Sequence, residues 1–160
     1  MHYLVRILTT GETRETAHEK ALAYADELVE GGQFDYYLEQ GRWAESGKTY
    51  RVASRLGQLA VERALQSNRE EFEYAIHAAR MMLAEFTDDQ IYEEQFGTAE
   101  EARQRDYFPS RWQFSRVHPD RSYLYGDRDL WGEQIRNTTD YQQATQDRDD
   151  LWVTALDFHG

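Results

Sequence analysis

The chain has 160 residues, with 30 Asp and Glu against 18 Lys and Arg and a formal net charge of −12. That length suits one domain with a real core, and an acidic field of this size repels a phosphate backbone, so nucleic acid is not an expected partner. The absence of cysteine excludes a disulfide framework and a thiolate metal site, and no apolar run approaches the length of a membrane span, about 18 residues.

The basic residues are unevenly chosen. Only Lys20 and Lys48 are lysines, and the other sixteen are arginines. Many carboxylates with almost no lysine fit a protein kept soluble in very salty cytoplasm, where salt screens the self-repulsion. An acidic protein encoded by a GC-rich genome is the alternative. The N-terminus turns polar too soon for a signal peptide, so a soluble, cytoplasmic protein is expected, with no membrane partner.

The chain opens on a strand, His2 to Thr9, whose Tyr3, Val5, Ile7, Thr9 face is the more apolar. A helix follows from about Thr13, with Ala17, Ala21, Tyr24, Ala25 and Leu28 as its buried stripe and Gly31 and Gly32 as its stop. Phe34 to Trp43, FDYYLEQGRW, is aromatic enough for a strand kinked at Gly41. Ser46 and Gly47 mark a turn before a short KTYRVA run. The next helix spans Ser54 to Gln66 on Leu56, Leu59 and Ala60. Asn68 with Glu71 then resembles a capping box for a second long helix to Phe86. Phe72, Ala75, Ile76, Ala79, Leu83 and Phe86 are its expected inner face. Thr87 with Gln90, and Thr98 with Glu101, look like caps of two shorter helices. Further on, WQFSRV (112–117) and SYLYG (122–126) read as strands paired across a turn at Pro119. A last helix, 129–146, carries Trp131 and Ile135 inward, and Leu151 to His159 is a closing strand.

The aromatic segment and the closing strand together resemble a diffuse family of uncharacterised proteins from tailed phages and halophilic archaea. Its members begin with a strand, carry an aromatic D-[WY]-Y…G-[GR]-R-W segment and end on D-x-H. The matching positions here are Asp35, Tyr36, Tyr37, Gly41, Arg42, Trp43, Asp157 and His159. The pattern departs at Gln40, where a glycine is usual, and at Phe158, where a cysteine is common. It covers about a fifth of the chain. The resemblance implies an architecture and a setting, and no reaction.

Three constellations carry possible chemistry. On the closing strand Asp157 and His159 share a face, and an antiparallel first strand would bring His2 beside them. His2, Asp157 and His159 then approach the ligand set of a Zn²⁺ or Fe²⁺ site. The structural alternative, which is the expectation, has no metal and no cofactor, with Asp157 held by the side chain of Arg6 or Arg42. Second, Arg42 lies between Gly41 and Trp43, near Asp35, Tyr36, Tyr37 and Tyr50. It would grip an anion or a base, or stack within the fold. Third, the Arg-aromatic run from Arg103 to Arg121 includes Arg111, Trp112, Phe114 and Arg116. Such residues anchor protein interfaces or stack on single strands, and the net charge favours the protein.

A single α+β domain over residues 1–160 is therefore expected. A small, mostly antiparallel sheet should hold both terminal strands, with the helical middle packed on it. The leading functional expectation is an accessory or interaction protein that binds a partner protein through Tyr36, Tyr37, Arg42, Trp43, Arg111, Trp112, Phe114 and Arg116, with a homo-oligomer left open. The rival is a small metal- or arginine-assisted phosphoester hydrolase built on Arg42, Asp157 and His159.

Overall fold

The two terminal strands pair antiparallel along their whole length. In the computed structural model, which describes residues 2–110 and 122–160, β1 (His2–Thr10) runs against β5 (Leu151–His159). The register goes from His2 opposite His159 to Thr10 opposite Leu151. Both strands are rich in apolar residues and are buried on both faces, as interior strands are. β4 (Ser122–Gly126) adds to the other edge of β1, parallel to it. The free side of β5 is shared by two short antiparallel strands, β2 (Tyr36–Leu38) at the His159 end and β3 (Lys48–Arg51) further along. The five-stranded sheet, ordered β2-β5-β1-β4, is thus mixed, not antiparallel throughout. The segment 112–117, expected to pair with β4, lies outside the described residues.

The described residues fall into two compact units, 2–68 with 122–160, and 69–110. The first holds the sheet. One sheet face, with Val5, Ile7, Leu156, Phe158 and Tyr125, packs on α1 (Arg14–Glu30) through Ala21, Tyr24, Ala25 and Leu28. Thr13 caps that helix by accepting from Thr16 N–H, and its five buried residues are those the sequence singles out. On the opposite face Leu8, Leu124 and Val153 pack against Ala60, Val61 and Ala64, with Ile135 and Ala144.

Helix α2 (Arg55–Glu85) is one element of 31 residues, where the sequence suggests two. Asn68 does not cap a second helix. It is 1% exposed, and its amide donates to the carbonyls of Ile135 and Arg136 at 3.3 and 3.4 Å. Long-range bonds from its amide nitrogen therefore engage a residue that is locally read as a helix start. The phase of the helix differs in part from expectation. Ala75 is buried as expected, but Ala78 and Met82 are buried in place of Phe72 and Leu83, which are exposed. The second unit's core joins Ala78 and Met82 to Ile91 of α3 (Asp88–Tyr92) and to Tyr107. The helices α3 and α4 (Ala99–Gln104) carry the expected boxes, Thr87 with Gln90 and Thr98 with Glu101.

The last helix is shorter than its pattern. α5 covers only Thr138–Thr145 and is capped by Asn137. The preceding stretch folds back in a turn closed on the Asp127 carbonyl by the N–H groups of Leu130, Trp131 and Gly132. Gly132 adopts φ +73° there, a left-handed conformation that glycine tolerates and a helix interior does not. No helix of the described residues is long and apolar enough to cross a membrane.

Candidate functional site

Strand alternation places the first two constellations together. His2, Leu4 and Arg6 point to the same face as Ala155, Asp157 and His159, because Leu4 is opposite Asp157 and His2 opposite His159. β2 extends this face, with Tyr36 opposite His159. After β2 the chain turns back over the end of the sheet, and Gly41, Arg42 and Trp43 arrive above Asp157.

Asp157 is the centre of the cluster. It is 1% exposed, and both carboxylate oxygens are engaged. Oδ1 lies 2.9 Å from His2 Nδ1, and Oδ2 accepts the backbone N–H of Arg42 at 2.6 Å. A buried carboxylate is costly unless it is paired, and these two bonds are the pairing. The expected side-chain donors are not the ones used here. Arg6 sits two residues along, opposite Ala155, and reaches Glu45 at 3.0 Å. Glu45 also receives Arg63 at 2.8 Å. Arg42 contributes its main chain, which leaves its side chain exposed. Gly41 is required by the close approach, since a Cβ there would overlap Cβ and the carboxylate of Asp157.

The second carboxylate–imidazole pair lies beside the first. His159 Nδ1 is 3.1 Å from Asp35 Oδ2, and its ring stacks on Tyr36 at 4.9 Å with an interplanar angle of 4°. The His2 ring stands edge-on to His159 at 5.3 Å and to Trp43 at 6.4 Å. The carboxylate of Asp157 orients the His2 ring through Nδ1, which leaves Nε2 as the ring nitrogen not bonded to Asp157. Among the described residues, no three His, Cys, Asp or Glu side chains are grouped to hold a metal ion.

Other candidates fall elsewhere. Tyr37 faces the opposite side of the sheet, against Phe158. Its hydroxyl donates to Asp26 at 2.9 Å, and burial, followed by that bond, pushes it up to about 12. Tyr50 belongs to the apolar cluster around Val153. In the third constellation, Arg105 is a structural residue. Its Nε and Nη2 donate to Glu85 at 2.8 and 2.6 Å, and its guanidinium lies 5.0 Å from the Phe86 ring centroid. The Tyr107 hydroxyl also donates to Glu85, and these bonds, Arg105 first, hold the Glu85 carboxyl below its usual range. Arg111, Trp112, Phe114 and Arg116 lie outside the described residues.

Glu45, which links Arg6 to Arg63, is the site residue that the sequence does not single out. Its partners are 39 and 18 positions away, so no local spacing marks it. The cluster is built to hold a loop. The buried carboxylate clamps the main chain at Arg42, two aromatic–imidazole contacts brace it, and the Arg42 side chain and Tyr36 ring are presented to solvent. No protein-family model matches this chain, and neither the curated proteins nor the solved structures gave a match.

Proposed function

We propose that this chain is a non-enzymatic accessory protein that docks a partner protein on the sheet corner formed by Tyr36, Arg42 and Trp43, with His2 and His159 beneath. One observation carries the reading. Asp157 commits one of its two oxygens to the backbone of Arg42, so the buried charge fixes a loop whose arginine points outward. Preorganised aromatic and arginine side chains are what protein interfaces use as anchors. The resemblance to proteins of halophilic archaea and tailed phages, together with the lysine-poor acidic composition, supports a high-salt setting, in an archaeon or its virus.

The test compares wild type with Arg42→Ala and Trp43→Ala as baits in an extract of the source. A protein captured by wild type and lost from both variants, with melting curves unchanged, is the expected result. Capture that survives both substitutions would place the interface elsewhere. The setting has its own measurement, because the thermal midpoint should climb from low salt into molar KCl, beyond the range where screening saturates. A flat midpoint leaves only the GC-rich explanation.

A second reading is favoured by the His2–Asp157 pair, since an imidazole oriented by a carboxylate is an arrangement used for general-base chemistry. On that reading the corner hydrolyses a phosphoester, with Arg42 holding the anion and His159 nearby. Hydrolysis of bis-p-nitrophenyl phosphate that is abolished by Asp157→Asn and by His159→Ala would establish it in place of the binding role.

A further inference from the structure

The second half of α2 has two flanks beside its buried stripe, and they differ in how far the described residues cover them. On the first, Tyr74 accepts the N–H of Phe108 at 3.1 Å, and the His77 ring stands edge-on to Tyr107. The second carries Phe72, Ile76, Ala79 and Leu83, spaced four, three and four residues apart. Phe86 continues the series and packs on Phe96. Phe72 is 43% exposed and Leu83 is 58% exposed. Alternating steps of four and three are the period of a helix seam that packs against another helix.

We infer that this flank is a self-association surface, on which α2 pairs antiparallel with α2 of a second copy of this chain. The charges beside the seam select both the occupant and the direction. With Phe72 and Ala79 in the d position and Ile76 and Leu83 in the a position, the e positions are Glu73 and Arg80, both exposed. The g positions are Ala75 and Met82, which are buried. An antiparallel pair stacks Phe72 on Leu83 of the other copy, and Ile76 on its Ala79. That register puts Glu73 beside Arg80 of the other copy, twice by symmetry. A parallel pair would need charged g positions to meet e positions, and Ala75 and Met82 supply no charge. Glu73 already bonds Arg69 at 2.7 Å along its own helix, so the carboxylate is shared between an intrahelical and an interhelical partner. The seam is short, and the net charge of −12 opposes association, so the dimer is weak, on the order of micromolar.

Sedimentation equilibrium on the full chain tests this. Wild type should show a concentration-dependent dimer, and Leu83→Glu should be monomeric with its melting curve retained, as befits an exposed side chain. Glu73→Arg alone places arginine against arginine, and Arg80→Glu alone places glutamate against glutamate. Each should weaken the dimer by about tenfold, the size expected for two exposed charge pairs. An equimolar mixture of these two variants restores both contacts and should dimerise as wild type does. The mixture keeps the test valid even where Leu83→Glu lowers the melting temperature. A wild-type chain that is monomeric up to its highest soluble concentration overturns the inference. So does a dimer indifferent to Leu83→Glu, and so does a mixture no tighter than either variant alone.

Discussion

Asp157 and Asp127 are both buried aspartates at ends of the same sheet, and their surroundings differ in kind. Asp157 lies opposite Leu4 near the start of β1. It joins three segments that are distant in sequence, with an imidazole on one oxygen and a main-chain N–H on the other. Asp127 follows β4 at the far end, where its N–H meets the Leu8 carbonyl. Its Oδ1 accepts only from Asp129 and Leu130, two and three residues on. Burial raises its pKa, and Asp129 adds to the rise. The same residue type thus serves a tertiary clamp at one end and a local turn at the other. A carboxylate in a turn can be replaced by any short acceptor, whereas a carboxylate between distant segments cannot.

The largest difference should come from alanine. Asp157→Ala leaves the His2 and Arg42 donors without their acceptor and should cost about 2–3 kcal/mol in urea unfolding. Asp127→Ala removes two local turn bonds to one oxygen and should cost about 1 kcal/mol. Equal losses at the two sites would erase the distinction. Asp157→Asn sharpens it. The amide oxygen can still accept from Arg42, while the amide nitrogen must face His2, so the loss should fall to about 1 kcal/mol.

Gly41→Ala attacks the same clamp from the other side. A methyl group at that position overlaps Asp157, so the loop must lift, and about 2 kcal/mol of overpacking strain is expected. The His2–Asp157 bond should survive, so imidazole NMR signals of His2 should move less than the Arg42 amide signal. The reverse ranking would mean that the loop, not the imidazole, holds the carboxylate. His159→Ala belongs lower on the scale, at about 0.5 kcal/mol. That ring is partly exposed and bonds an exposed aspartate, so its loss should be read in partner binding more than in melting.

The clamp shows where sequence reading stops. A carboxylate on the face of Leu151, Val153 and Ala155 announces itself as buried and in need of a partner, and the antiparallel pairing of His2 with His159 follows from two apolar strands. The partner itself is not legible, because a backbone N–H has no residue type and Arg42 draws attention by its side chain. The same limit applies to α2. Asn68 is a cap by local pattern, and only the carbonyls of Ile135 and Arg136, 67 and 68 positions away, make it a buried mid-helix residue. Large residues also mislead the phase, since Phe72 and Leu83 outweigh Ala78 in hydrophobicity although the small residue allows the closer contact. α1 was legible because its start, its stripe and its stop all agree.

The smallest effect is the most specific to Asp127. Burial disfavours its charged form, so its folded pKa stands above the unfolded value. The stability this group contributes is therefore fully present below the unfolded aspartate range, near pH 4, and is lost as pH rises through the folded value. Asn at this position has no charge to bury and still offers Oδ1 to Asp129 and Leu130. Asp127→Asn should accordingly be slightly more stable than wild type at neutral pH, and the two chains should converge on acidification. The matching substitution at Asp157 has the opposite sign, since its carboxylate has a partner on each oxygen and an amide offers only one acceptor. Paired urea curves across the acid range measure both differences against the same wild type. A loss of stability in Asp127→Asn at neutral pH would mean that its two N–H bonds strengthen with ionisation by more than burial penalises it. The two aspartates would then differ only in how far apart in the chain their partners lie.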